Sequence, residues 1–204
     1  MRLPGAEKPG GRRQENGAVR SCPGISRERM MKMELPALYA IPRTDALDRF
    51  FVTLTKAVGS YGQLWLAVAV VLLIFKKTRR TGVAVLISYA AVFLFGQLLL
   101  KNVITRPRPC QIDQTFALLI DRPTSSSFPS THTAWAFGAA TAIFMEYKKA
   151  GAAALLAALL IAYSRLYLFV HFPTDVFFGL AMGAALGAAA DRFSEYLFRK
   201  TRER

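Results

Sequence analysis

Cysteine, histidine and carboxylate are all scarce here: the 204 residues hold two Cys, two His and 13 Asp plus Glu against 27 Lys plus Arg. Cys22 and Cys110 are too few and too separated for a disulfide framework, though the sequence leaves a single pairing open. No glycine-rich phosphate loop of the Walker type occurs. Residues 1–33 contain no apolar core of the kind a signal peptide needs.

Charge itself is missing over long stretches, and that absence decides the class. Thr81 to Leu100 carries no charged residue across twenty positions, enough to cross about 30 Å of hydrocarbon. Ala150 to Tyr163 is nearly as apolar, while 62–75, 133–144 and 176–190 are shorter and need their flanks to complete a crossing. With 53% hydrophobic residues and a mean hydropathy of +0.28, the pattern favours a membrane protein over a soluble bundle of unusually apolar helices. The expected fold is all-α, a polytopic membrane helix bundle with about five spans: 61–75, 82–104, 132–147, 150–168 and 174–192. Ahead of them, Leu47, Phe50, Phe51, Leu54 and Val58 fall on one helical face, with Asp48, Arg49 and Lys56 opposite. That predicts an amphipathic helix over 45–58 lying in the interface.

The net charge of +14 does not call for nucleic acid. Much of it caps the apolar runs, in KKTRR at 76–80 and RKTRER at 199–204, as expected for cytoplasmic ends. A nucleic-acid binder would collect base-stacking aromatics and basic residues on one soluble face. With these loops cytoplasmic, the loop 105–131 and the turn 169–173 lie on the other side. Residues 1–33 lack apolar periodicity and are expected to form a disordered basic tail. Its eight Lys/Arg against three Glu conflict with an outward location, and a translation start near Met30, Met31 or Met33 would remove the conflict. The division is then tail 1–33, membrane domain 34–198 and basic cytoplasmic tail 199–204.

The polar residues that interrupt the apolar runs gather on the non-cytoplasmic face. Lys101 ends the second span, followed by Arg106 and Arg108 in TRPRP. Ser130 and His132 open the third in FPSTH; Arg165 and His171 end the fourth, and Asp175 opens the fifth. Any one cation here could merely snorkel to headgroups. Several beside both histidines, on the face that the positive-inside bias disfavours, call for a purpose. Three cations around two histidines suit a phosphate, because phosphoryl transfer rests on positioning and on neutralising the equatorial oxygens. A neutral imidazole can attack phosphorus, and a carboxylate on its other nitrogen fixes tautomer and orientation. His171 and Asp175, four apart across a Pro-containing turn, are candidates for that pair, and His132 for protonating the departing oxygen. A zinc site of His, His and Asp fits poorly beside Lys101, Arg108 and Arg165. A cysteine-based phosphatase fits no better, since nothing basic stands six residues after Cys110.

Lys101, six residues, Arg108-Pro109; Pro129-Ser130-Thr131-His132; and Ser164-Arg165, five residues, His171, three residues, Asp175 resemble the three-part signature of the type 2 phosphatidic acid phosphatase superfamily of membrane lipid phosphatases. The likeness covers about 46–192, and the six-residue spacing selects Arg108 over Arg106. It implies His171 as a nucleophile forming phosphohistidine, Asp175 as its partner, and His132 as general acid and then base. Lys101, Arg108, Ser130, Thr131 and Arg165 would hold the phosphate, with no metal and no cofactor. The sequence departs from the family at Thr131, where glycine is usual; threonine restricts the backbone and adds a methyl group, so a somewhat narrower pocket is expected. The implied substrate is a lipid phosphate or diphosphate at the outer leaflet, undecaprenyl diphosphate first, then phosphatidic acid or phosphatidylglycerol phosphate. A lipid phosphotransferase and a non-catalytic lipid-phosphate binder or transporter are the alternatives. The loop 110–128 is expected to shape the entrance. Oligomeric state has no signal in the sequence.

Overall fold

The computed structural model describes residues 27–202, with side chains described from 33 to 201. The first helix, α1, runs Arg27–Tyr39. Residues 27–33, expected in the tail, therefore belong to a helix; the remainder of that tail, with Cys22, lies outside the described residues. The helix α2, Asp45–Val58, begins at Thr44, whose hydroxyl accepts from the Leu47 amide at 3.3 Å, an N-cap that satisfies one orphan donor. Asp45 and Asp48 in its first turn and Lys56 in its last complement the helix dipole. Its apolar face meets the bundle through Phe51, whose ring lies 5.5 Å from Tyr163 and 4.5 Å from Tyr167. Gly59 and Gly62, at φ 76° and 68°, supply a left-handed turn into α3, Gln63–Ile74.

Next comes α4, Arg79–Val92, which passes into a π-helical segment, Phe93–Leu100, and a last turn α5, Lys101–Val103. The loop that follows contains one short helix, α6, Pro109–Ile112. Then come α7, Thr131–Glu146, α8, Lys148–Tyr167, and α9, Pro173–Arg202. Residues 199–202, expected in a tail, continue α9. No strand occurs among the described residues, and the chain is an all-α polytopic membrane bundle.

Three stretches are long and apolar enough to cross a membrane by themselves: Arg79–Val103, Lys148–Tyr167 and Pro173–Thr201. α2 and α3 together could make a fourth, bent by 53°. Thus the 45–58 helix, expected apart in the interface, is also placed to share a broken span with α3. α7, at 16 residues, is about 24 Å long and short of a full crossing. It occupies the middle, packed on α4, α8 and α9, with most of its side chains buried.

Small residues allow that packing. Along α9, a Cβ added to Gly179, Gly183 or Gly187 would stand 2.5, 2.3 and 2.3 Å from the carbonyl oxygens of Ser130, Ala134 and Gly138. The two backbones therefore touch, as small-residue stripes permit where hydrocarbon supplies no driving force between helices. At one end Arg80 pairs with Glu146, with Asp191 at 3.4 Å and with Glu195 at 3.9 Å. This draws the basic loop 76–80, the 146–148 junction and the end of α9 together. Residues 59–62, 101–130 and 168–175 gather at the other end.

Candidate active site

The first motif starts where α4 ends. Lys101 and Arg108 come from the α5 turn and the following loop, and they are 9% and 4% exposed. Arg108 is fixed from several directions: its Nε donates to Ser125 O at 2.9 Å and its Nη1 to Val170 O at 2.9 Å. The same Nη1 lies 3.1 Å from His171 Nε2. An arginine only donates, so Nε2 is the acceptor and a neutral His171 carries its hydrogen on Nδ1. Arg165, 3% exposed at the end of α8, bonds Ser164 Oγ at 3.1 Å through Nε and also bonds Thr55 Oγ1.

His171 is delivered by a tight reversal after α8. Phe169 adopts φ 59°, an outlier for a bulky residue, and is clamped between Phe116, stacked at 4.1 Å, and Tyr39 at 5.2 Å. α1, α2 and the 113–120 loop thus bury the 168–172 turn around Leu38, Phe51, Cys110 and Phe172. Cys110 itself is a buried thiol with no disulfide partner among the described residues, and burial pushes its pKa up. Burial, reinforced by Arg108, pushes the His171 imidazole down to about 3, with Asp175 pulling the other way. Arg108 is lowered to about 10 by burial.

Asp175 sits in the first turn of α9 and is fully buried. Its Oδ2 is 3.7 Å from His171 Nδ1, near but beyond hydrogen-bond distance. The carboxylate's bonds go elsewhere: Oδ2 accepts from Ser127 Oγ at 2.5 Å and the Phe172 amide at 2.9 Å. Oδ1 accepts from Arg106 Nη1 at 2.6 Å. Arg106, passed over by the six-residue spacing, is therefore the cation that touches the buried carboxylate.

Lys101, Arg108, Thr131, His132, Arg165 and His171 line one cavity of about 990 Å³. Gly59, Ser60, Tyr61 and Gln97 close it on one side and residues 118–125 on the other, the latter within the 110–128 loop. His132 Nε2 lies 3.1 Å from Gly59 O, which can only accept. Thr131 Oγ1 donates to Gln97 Oε1 at 3.4 Å, and Gln97 comes from the π-helical segment. A lone glutamine in an otherwise apolar span was the signal that could have revealed it. Ser130 stands apart from the other expected phosphate contacts. It is fully buried, its hydroxyl bonds Thr133 Oγ1 at 2.9 Å, its amide donates to Asp175 O at 3.1 Å, and it lines no part of the cavity.

The electrostatics of the cavity are lopsided. Lys101, Arg108 and Arg165 are buried, and none makes an ion pair among the described residues. Buried charge without a counter-charge is expensive, and an anion in the cavity would offset it. Among the described residues no three of His, Cys, Asp or Glu converge as metal ligands.

Residues 81–199 match the family model described as the PAP2 superfamily. The chain belongs to the PAP2 superfamily. It is 33% identical over 153 residues to an undecaprenyl-diphosphatase of Sulfolobus acidocaldarius, covering 74% of this chain and 73% of that one. Its fold is similar to the PAP2-type phosphatidylglycerolphosphate phosphatase of Bacillus subtilis, with TM-score 0.65 and 27% identity over 83% of this chain and 86% of that one. It is also similar to Aquifex aeolicus LpxE, with TM-score 0.60 and 30% identity over 80% and 93% of the two chains. As a PAP2-superfamily member, the protein is a multi-pass membrane phosphatase that hydrolyses lipid phosphates.

Proposed function

We infer that this phosphatase hydrolyses a polyprenyl diphosphate, undecaprenyl diphosphate first, through a phosphohistidine formed on His171. The observation that carries the reading is the set of three buried, carboxylate-free cations facing one cavity with both histidines. Lys101, Arg108 and Arg165 would neutralise the phosphoryl oxygens, the arginines by planar donors and the lysine as a point charge. Thr131 would bound the pocket where the phosphate enters.

Nε2 of His171 is the nucleophile in this reading, since its lone pair is free once Arg108 turns from it to substrate. Attack forms the P–N bond and breaks the P–O bond to the lipid-bearing leaving group, whose oxygen takes a proton from His132. Water then attacks phosphorus, His132 accepts its proton, and inorganic phosphate leaves with His171 regenerated. Asp175 holds the Nδ1–H side of the ring. No step draws on a metal or cofactor.

The name of the Sulfolobus relative favours a diphosphate, and its likeness extends over three quarters of the chain. The Bacillus fold neighbour keeps a phosphatidylglycerol phosphate reading as the second choice. The basic ends gathered around Arg80 favour a cytoplasmic location for that end and a non-cytoplasmic cavity. Phosphate release from polyprenyl diphosphates, phosphatidic acid and phosphatidylglycerol phosphate, with chelator and without added metal, tests the substrate. Polyprenyl diphosphate should turn over with the highest kcat/KM, and His171→Ala should release none. Undiminished release by His171→Ala sinks the phosphohistidine.

A further inference from the structure

We propose that Arg106 is a positioning residue for the reaction: clamped by Glu34 of α1, it fixes both oxygens of Asp175 and through them the orientation of His171. This rests on the phosphohistidine reading of the same site.

The guanidinium is committed on three sides. Nη1 donates to Asp175 Oδ1 at 2.6 Å and to Thr174 Oγ1 at 2.7 Å, while Nη2 donates to Glu34 Oε2 at 2.5 Å. Its face lies 4.3 Å over the Phe172 ring, the residue next to His171. Its side chain is 9% exposed, and Glu34 and Asp175 are 13% and 0% exposed. One cation thus stands between two carboxylates in a mostly dry setting, where such pairs hold geometry tightly.

The main chain of Arg106 reaches the other carboxylate oxygen. Its amide donates to Ser126 Oγ at 3.1 Å, and its carbonyl accepts from the Ser127 amide at 2.8 Å. Ser127 Oγ in turn donates to Asp175 Oδ2 at 2.5 Å. Both oxygens are therefore tied to residue 106, one by its side chain and one through the residue it pins. Arg106 does not line the 990 Å³ cavity, so it acts behind the nucleophile and not on the phosphate.

Glu34 completes the clamp from the far end of the chain. Its Oε1 accepts from the Thr174 amide at 2.9 Å while Oε2 takes Arg106. α1 is consequently bonded to the same turn that presents Asp175. The identity of the cation matters: a lysine could serve one partner well, whereas a guanidinium reaches Asp175, Thr174 and Glu34 in one plane.

The test is steady-state kinetics of the purified full-length protein in detergent micelles, with farnesyl diphosphate and phosphatidic acid as probes. Arg106→Ala is expected to lower kcat about 10²-fold, as displacements of about 1 Å can, while KM and inhibition by inorganic phosphate move less than about threefold. Arg106→Lys should recover part of that loss. In an Asp175→Asn background, adding Arg106→Ala should cost less than about threefold, since both changes act through one carboxylate. A raised KM at unchanged kcat, or full additivity with Asp175→Asn, overturns the proposal. Should Arg106→Ala fail to fold, Arg106→Gln and Glu34→Gln decide it, and wild-type kcat in both overturns it. Activity surviving in His171→Ala overturns the phosphohistidine reading and the proposal with it, whereas additivity in an enzyme that His171→Ala silences overturns this proposal alone.

Discussion

Nδ1 of His171 stands 3.7 Å from Oδ2 of Asp175, while that same oxygen accepts from Ser127 and the Phe172 amide. The pair is aligned but not closed. Catalytic hydrogen bonds are often long in the absence of substrate and tighten as charge develops. Asp175→Asn should set an NH2 against the donors of Arg106 or of Ser127 and Phe172 and lose imidazolium stabilisation, lowering kcat by about 10³- to 10⁴-fold with little change in KM. Steady-state kinetics with a lipid phosphate check this, and a kcat within tenfold of the parent would dismiss the partnership.

His171 should remain neutral where an ordinary histidine titrates. Burial and Arg108 hold its pKa down to about 3, below the ordinary histidine value of about 6.5. Because the folded value is lowered, the unfolded chain binds the proton first. Stability from this group is present above about pH 6.5 and declines as pH falls toward the folded value. In a His132→Gln variant, imidazole nitrogen NMR should show no titration of the remaining histidine from about pH 5 to 8; a midpoint of about 6.5 contradicts this.

Lys101 should trade stability for function. It is buried and unpaired among the described residues, so replacing it with Met removes a desolvated charge. Lys101→Met is expected to raise stability by about 1–3 kcal/mol while reducing kcat/KM about 10²- to 10³-fold. Thermal unfolding and phosphate release on one preparation test both halves. A variant that is less stable and equally active would contradict both.

Gly183 should tolerate no side chain. A Cβ there meets Ala134 O at 2.3 Å and Ala134 Cα at 2.9 Å, both backbone atoms. Gly183→Val should force α7 and α9 apart and destabilise the protein by about 1–3 kcal/mol or more. Activity should fall too, because the Ser130 amide, just before α7, bonds the Asp175 carbonyl on α9. A melting temperature equal to the parent's speaks against this contact.

Thr131 should narrow the cavity. Its methyl fits against Gly96, whose added Cβ would come within 3.1 Å of Thr131 Cγ2, and its hydroxyl faces Gln97. Thr131→Gly should improve kcat/KM for the bulkier headgroups of the panel by about tenfold, because it removes the hydroxyl that holds Gln97 on the cavity wall. An equal or slower rate with an unchanged substrate range removes the steric role.

The apolar runs, their basic caps and the residues of the three motifs are legible because each depends on local pattern. A charge inside hydrocarbon is conspicuous, and Lys101, Arg108, His132, Arg165 and His171 indeed share one cavity. Arg106 was not distinguishable from a spare cation, since its role depends on Asp175, 69 residues away, and on Glu34, 72 away. Ser130 shows the opposite limit: its place in the motif is local, but the direction of its hydroxyl, toward Thr133, is not. α1 is hidden by charge at its start, and its docking rests on Glu34 meeting Arg106 and Thr174, 72 and 140 positions away. Periodicity cannot report contacts of that range.

The π-helical segment Phe93–Leu100 has a consequence for how this sequence can change. Each residue of an α-helix turns the chain by about 100°, and a π-turn carries an extra residue per hydrogen-bonded loop. Lys101 faces the cavity partly because of how many residues precede it in the span. Losing a single leucine from this apolar stretch would leave hydropathy and membrane insertion almost untouched, yet swing the ammonium toward lipid. Here the chain's arithmetic, as much as its chemistry, is under constraint.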